Sequence, residues 1–270
     1  MRLLLLTSNG PEHRYVARRF AEAFPAELQA VIIAKPRRHT PLGRMRRYAR
    51  RYTVAQLASR VLARGFTVAT GQRAKRRRIL GTLLDASVGE EETPLQLVQY
   101  VPSHNGSAAV ELVQSLAPDI IAVYGTVVIR APIIRLARQA ILNMHTGISP
   151  RYRGANTVFW PLYNAEPEWV GLTIHQLTEE IDAGPILEVG RPTIAPDDDE
   201  NSLFCKCVMV GTKLYVRAVR AVARGTAEPR PQELNEGREY RFVDRTIWAE
   251  LRVRHLLAHG LLRRYAETHS

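Results

Sequence analysis

"MRLLLLTSNGPEHRYVARRFAEAFPAELQAVIIA" occupies residues 1–34, and its reading decides the fold. RLLLLT at 2–7 is a short apolar run stopped by Ser8-Asn9-Gly10-Pro11, the pattern of a buried strand ending in a turn. From Pro11 to Phe24 the apolar period changes. Tyr15, Val16, Phe20 and Ala23 fall on one face of a helix, and Pro11 suits its first turn. LQAVIIA at 28–34 is a second buried strand. Strand, helix, strand implies a parallel crossover unit, because parallel neighbours need a long connection across one face of the sheet.

The same alternation returns further on. LQLVQYV (95–101), PDIIAVYG (118–125) and AILNMH (140–145) read as strands, with helices between them at 106–117 and 131–139. Two more strands are expected within 169–177 and 184–194, then a long helix over 199–225 with an acidic start and Gly225 as its stop. The expected fold is α/β: a Rossmann-like, mainly parallel sheet flanked by helices, with a short C-terminal extension. The reading divides the chain into a catalytic domain over 1–227, carrying a basic insertion at 35–90, and an extension over 228–270. The extension holds a GREYRF element and a basic helix around WAELRVRHLLAHGLLRR.

The charge of +12 is concentrated: residues 35–78 hold 15 Lys or Arg and no Asp or Glu, which leaves the remainder slightly acidic. Such a segment is either a solvated insert or a partner site for an anion: a phosphorylated small molecule, a nucleic acid or an acidic membrane surface. Within it, 43–64 has helical spacing, with Met45, Tyr48, Tyr52, Leu57 and Val61 near one stripe and a cationic face opposite. No apolar run approaches a membrane span, and the N-terminal leucines are too short for a signal-peptide core, so a cytoplasmic address is the simplest expectation. Cys205 and Cys207 read as small apolar residues of a packed helix rather than as a metal pair. No metal is expected, since none of the eight histidines has ligand spacing with acids or cysteines.

The chemistry centres on Asn143 and His145. They end a strand, and ligands of open α/β sheets sit at the carboxyl ends of strands. Two positions apart, they point to the same side. An amide donor and an imidazole facing one cleft suit stabilisation of a developing oxyanion and handling of a proton. Downstream, TEEID (178–182) places Asp182 in a polar loop. Beside an imidazole this carboxylate would raise the ring's pKa and orient it; it would equally serve as a turn cap, and spacing alone leaves both readings open.

Asn143-Met144-His145, Pro150, YRG at 152–154 and the Asp of TEEIDAGPI, 39 residues after Asn143, resemble the formyltransferases that use 10-formyltetrahydrofolate. The resemblance covers about residues 1–34 and 95–225. It implies that Asn143 and His145 donate to the formyl oxygen, and that Asp182 holds His145 and relays the proton of the attacking amine. It also implies a folate site made of two loops: Tyr124, Gly125, Thr126, Val127, Val128 and Ile129 in one, and Thr178, Glu179, Glu180 and Ile181 in the other. One departure lies in HTGISP, where Gly147 stands at a position often filled by Ser in the family, leaving Thr146 or Ser149 as the nearby hydroxyls.

The layout is most similar to the sugar-nucleotide N-formyltransferases, whose acceptors are nucleotide-linked amino sugars. That resemblance implies a phosphorylated small-molecule amine, with Arg151, Tyr152, Arg153, Asn156 and Trp160 as acceptor contacts and His13 and Arg14 as weaker candidates. Methionyl-tRNA formyltransferase has a C-terminal barrel that about 40 residues after Glu228 do not match, and the glycinamide ribonucleotide enzymes have a glycine-rich phosphate loop where this chain reads TSNGPEHRY. Nucleic acid therefore ranks below a small molecule as partner. A natural-product amine is a further alternative, a peripheral anionic membrane contact through 35–78 is another use of the basic segment, and a non-catalytic folate- or anion-binding module is the reading from a different class.

Overall fold

The computed structural model describes residues 1–35, 52–85 and 95–269; Met45 and Tyr48 of the expected stripe lie outside them. Strand β1 (Leu3–Thr7), helix α1 (Pro11–Ala23) and strand β2 (Leu28–Ala34) form the crossover expected from the opening stretch. All five residues of β1 are buried, which is why it reads as an unbroken apolar run rather than an alternating one. Helices α2 (Val54–Ala69) and α3 (Gln72–Leu80) and a π turn (Gly81–Asp85) follow. Then come β3 (Val98–Val101), α4 (Ser107–Leu116), β4 (Ile120–Tyr124), the single turn α5 (Ala131–Ile134) and β5 (Ala140–His145).

Beyond β5 lie β6 (Tyr152–Gly154), α6 (Phe159–Tyr163), β7 (Leu172–Gln176), β8 (Ile186–Gly190) and α7 (Glu200–Ala223). The chain closes with β9 (Arg238–Tyr240), α8 (Ile247–Ala258) and α9 (Leu261–Thr268). The seven-stranded sheet runs β3-β2-β1-β4-β5-β7-β8, parallel from β3 through β5 and antiparallel over β7 and β8. Strand order reverses between β1 and β4, so the crevice of an open α/β sheet is expected at their carboxyl ends.

Each face of the sheet has its own core. Leu3, Leu5, Leu142 and Met144 pack with α1 and α7 on one side, and Leu4, Leu6, Val123 and Ile141 with α4 on the other. By strand alternation Asn143 and His145 follow Ile141 onto the second face at the sheet edge. Helix α7 starts at Asp199, whose carboxylate accepts from the N–H groups of Asn201 and Ser202 while the Ser202 hydroxyl accepts from Asp199 N–H. From its middle, the buried Tyr215 hydroxyl accepts from Val123 N–H at 2.7 Å and donates to Leu142 O at 2.7 Å, pinning β4 to β5 one residue before Asn143.

Local readings shift in four places. The helix expected at 131–139 is one turn, and the strand expected from residue 95 begins at Val98 after a short 3₁₀ turn. Val61, expected on the packed stripe, is 69% exposed, because α2 packs through Ala63 and Phe66 instead. In the extension, β9 pairs with β6, the short strand after the loop that follows β5, and the basic helix breaks at Gly260.

Candidate active site

Asn143 sits on β5 in register with Val123 of β4 on one side and His175 of β7 on the other. The antiparallel β7 thus delivers a second histidine to the edge where the parallel strands end. Asp182 follows in the loop after β7, with a positive φ of 49°. Its Oδ2 lies 3.3 Å from His145 Nδ1 and accepts Gly154 N–H at 3.0 Å. Its Oδ1 accepts from Asn143 Nδ2 at 3.4 Å and lies 3.5 Å from His175 Nε2. Four groups from three strands, β5, β6 and β7, therefore converge on one carboxylate. The Gln232 side chain ties the loop down by donating to the carbonyls of Asp182 and Gly184.

Ring states follow from the partners. Carbonyl oxygens only accept, so His145 Nε2–H donates to Tyr152 O at 3.0 Å, which leaves Nδ1 toward Asp182. His175 Nδ1–H donates to Gln176 O at 2.7 Å, and its Nε2 stands 3.1 Å from Asn143 Nδ2 and 3.5 Å from Asp182 Oδ1. Burial alone would raise the Asp182 pKa; the charge of His145, the bond and charge of His175 and the Gly154 N–H outweigh it and hold the carboxyl well below the usual carboxylate range. Gly147 has a steric cause: a Cβ there would stand 2.6 Å from both His145 Nε2 and Tyr152 O, in the bond that orients the ring. Of the neighbouring hydroxyl residues, Thr146 lines the cleft and Ser149 does not.

The cleft has a volume of about 620 Å³. Asn143, His145 and Asp182 line it, as do all of 124–129 and 178–181. The first loop is shaped for close approach. Gly125 has φ +60°, and any Cβ there would meet the His13 ring at 2.3 Å. Asn105 fixes the loop by donating to Val128 O at 2.9 Å and accepting Arg130 N–H at 2.9 Å. Val127 and Val128 are left 65% and 57% exposed, an apolar surface suited to a flat heteroaromatic ligand.

The expected acceptor contacts divide. Asn156 lines the cleft; Arg151, Tyr152, Arg153 and Trp160 do not. Arg151 is paired with Glu166 at 2.8 Å and lies over the Trp169 ring, and the Tyr152 hydroxyl donates to the same Glu166 at 2.5 Å. Arg153 is buried near Ile181 O and Glu180, and Trp160 stacks on Tyr240 at 4.5 Å between centroids. These side chains hold the loop after His145 in shape. Of the two weaker candidates, His13 lines the cleft and Arg14 does not. Thr7 donates its hydroxyl to Tyr124 O at 2.9 Å, so it accepts from His13 Nδ1–H at 2.9 Å, leaving His13 Nε2 without hydrogen. Burial lowers the His13 pKa against the opposing pull of Glu12.

Sequence reading missed His175, Glu12, Phe204 and residues 239–242, all of which line the cleft. His175 carried one legible signal, a histidine inside an expected strand. The others reach the cleft only through tertiary packing. Among the described residues no group of three or more His, Cys, Asp or Glu is placed to hold a metal ion. Cys205 and Cys207 are buried in α7, and burial pushes the Cys205 thiol up to about 12.

Residues 67–219 match the model of the formyl transferase family, and the chain belongs to that family. A methionyl-tRNA formyltransferase from Agathobacter rectalis is 31% identical over 143 residues, 52% of this chain and 46% of that protein. The chain spans about half the length of the curated relatives it matches. A sugar N-formyltransferase from a Shewanella species superposes with a TM-score of 0.57 at 13% identity, covering 94% of this chain and 87% of that one. An N-formyltransferase from Helicobacter canadensis, solved with folinic acid and dTDP-3-aminofucose, superposes with a TM-score of 0.55 at 14% identity, covering 90% and 72%. At these identities the structural likeness is one of fold.

Proposed function

We propose that the protein moves a formyl group from 10-formyltetrahydrofolate to the primary amine of a small molecule, with a nucleotide-linked amino sugar as the leading acceptor class. Residues 1–227 would form the catalytic domain and 228–270 an extension that completes the cleft. The observation that carries this reading is the convergence of Asn143, His145, His175 and Gly154 N–H on Asp182 at the sheet edge. The folate would lie against 124–129 and 178–181, where Gly125 and the exposed Val127 and Val128 allow close approach and apolar contact.

Asn143 would donate an amide N–H to the formyl oxygen as negative charge develops there, giving up its contact with Asp182 Oδ1 or His175 Nε2. His145 points both ring nitrogens at protein atoms, so to donate to that oxygen it must exchange Tyr152 O for the substrate. Asp182 would hold His145 in place and help relay the proton released by the amine, directly or through water. On the α1 side of the cleft, His13 Nε2 offers a basic nitrogen to the incoming ammonium group.

One observation favours a second acceptor. The described lining carries Glu12, Glu179, Glu180 and Glu239 but only Arg241 as a Lys or Arg side chain. This balance suits a cationic amine without phosphate, as in a natural-product pathway, better than a diphosphate. The deciding experiment supplies purified protein with 10-formyltetrahydrofolate and a panel of nucleotide-linked amino sugars, polyamine-like amines, glycinamide ribonucleotide and initiator tRNA, following tetrahydrofolate release. Turnover with one acceptor, lost in Asn143→Ala and His145→Ala, supports the reading. Folate binding without turnover on any acceptor would reduce the protein to a folate-binding module.

A further inference from the structure

The outer face of α2 is apolar and bare. Val54, Val61, Leu62 and Val68 are 84%, 69%, 62% and 54% exposed. With Ala58 and Gly65, also exposed, they form one helical stripe along a 16-residue helix, opposite the Ala63 and Phe66 side that packs toward α8 under Arg254. A Thr53–Gln56 capping box closes the helix start, so it is a formed element and not a frayed one. Arg64 flanks the stripe, and Arg77 and Arg78 are exposed on the adjoining α3. The surrounding sequence, 35–78, contains 15 Lys or Arg and no acid.

We propose that this face seats the protein on an anionic lipid surface, with α2 lying in the interface and the arginines against the headgroups. The stripe asks for hydrocarbon, and the charge asks for anions; a lipid leaflet bearing acidic headgroups supplies both. A nucleic acid would use the arginines but leave the valines in water. A second copy of the chain would cover the valines but bring Arg64, Arg77 and Arg78 toward their own copies, and like charges repel. No helix among the described residues is long and apolar enough to cross a membrane, so the contact lies in the plane of the surface. The inference concerns where the protein works and does not depend on its acceptor.

The test is co-sedimentation of the full chain with phosphatidylcholine vesicles and with vesicles containing about one-third phosphatidylglycerol. Binding is expected to be at least roughly tenfold stronger to the acidic vesicles and to weaken as salt rises. Val61→Ser with Leu62→Ser, and separately Arg77→Gln with Arg78→Gln, should each weaken it by roughly tenfold with an unchanged melting temperature. Val68→Ser stands in should the first pair melt early. Formyl transfer without vesicles should be unchanged in the serine pair, which separates this test from that of the reaction. Equal binding to both vesicles, or none, overturns the proposal. So does binding to a short RNA duplex that only the glutamine pair weakens, or a concentration-dependent dimer that the serine pair dissolves in the absence of lipid binding.

Discussion

At the end of β5 and on the outer face of α2 the chain departs from ordinary burial in opposite senses. Asp182, 13% exposed at its side chain, is a carboxylate enclosed by two histidines, an amide and a backbone N–H. Val61, 69% exposed, is hydrocarbon left in water. A buried charge costs free energy unless every lone pair is answered, and an exposed apolar stripe costs free energy until something covers it. The first cost is met inside the fold, so the site is preorganised. The second is not met by the described residues, and the missing cover points outward. Internal completeness marks chemistry; incompleteness marks a contact.

The largest effect should come from breaking the closed region. Asp182→Asn keeps the shape but removes the charge, and formyl transfer should fall by roughly two to three orders of magnitude while folate binding, followed by fluorescence, persists. Near-normal turnover in that variant would show that the carboxylate is scaffolding. Next comes its support. Tyr215→Phe removes the hydroxyl that serves Val123 N–H and Leu142 O, so chemical denaturation should register a loss of about 1–3 kcal/mol, with slower turnover as Asn143 loses its register. Gly147→Ala drives a methyl into the His145–Tyr152 bond and should cost about 1–3 kcal/mol.

The acid limb sharpens the comparison further. Because the folded-state pKa of Asp182 is depressed, its contribution to stability is complete above the ordinary carboxylate range and is lost as pH falls below about 4 toward the folded value. Urea midpoints of the native chain should therefore drop on that limb more steeply than those of Asp182→Asn. The smallest effect belongs to the open region: Val61→Ser with Leu62→Ser should move the stability by less than about 0.5 kcal/mol, since neither side chain has packing to lose. A larger loss would mean that the stripe is already covered within the chain.

Much of the fold was legible because local pattern and global role agree in the strands. An unbroken apolar run such as β1 can be buried on both faces only inside a sheet, and a helix between two such runs makes them parallel. Asn143 and His145 were legible for the same reason: two positions on a strand share a side, and the carboxyl edge is where α/β sheets bind. Arg151 and Arg153 show the limit. Their charge suggested an anionic acceptor, but Glu166 occupies the first and the folded loop encloses the second. A basic side chain in sequence does not reveal whether its counter-ion will come from a ligand or from the protein.

Sequence alone determined the strands of the main sheet and the helices α1, α4 and α7 beside them, the Asn-x-His edge, the carboxylate 39 residues beyond it and the concentration of arginine in 35–78, because each depends on spacing within one element or on composition. Tertiary structure alone decided that β7 runs antiparallel and sets His175 against Asn143, that β9 returns to β6 so that 239–242 line the cleft, and that α2 turns its valines outward. Those outcomes depend on pairing and packing between segments distant in the chain, where the direction of a neighbouring strand, and not the residues beside a position, settles which side chains meet.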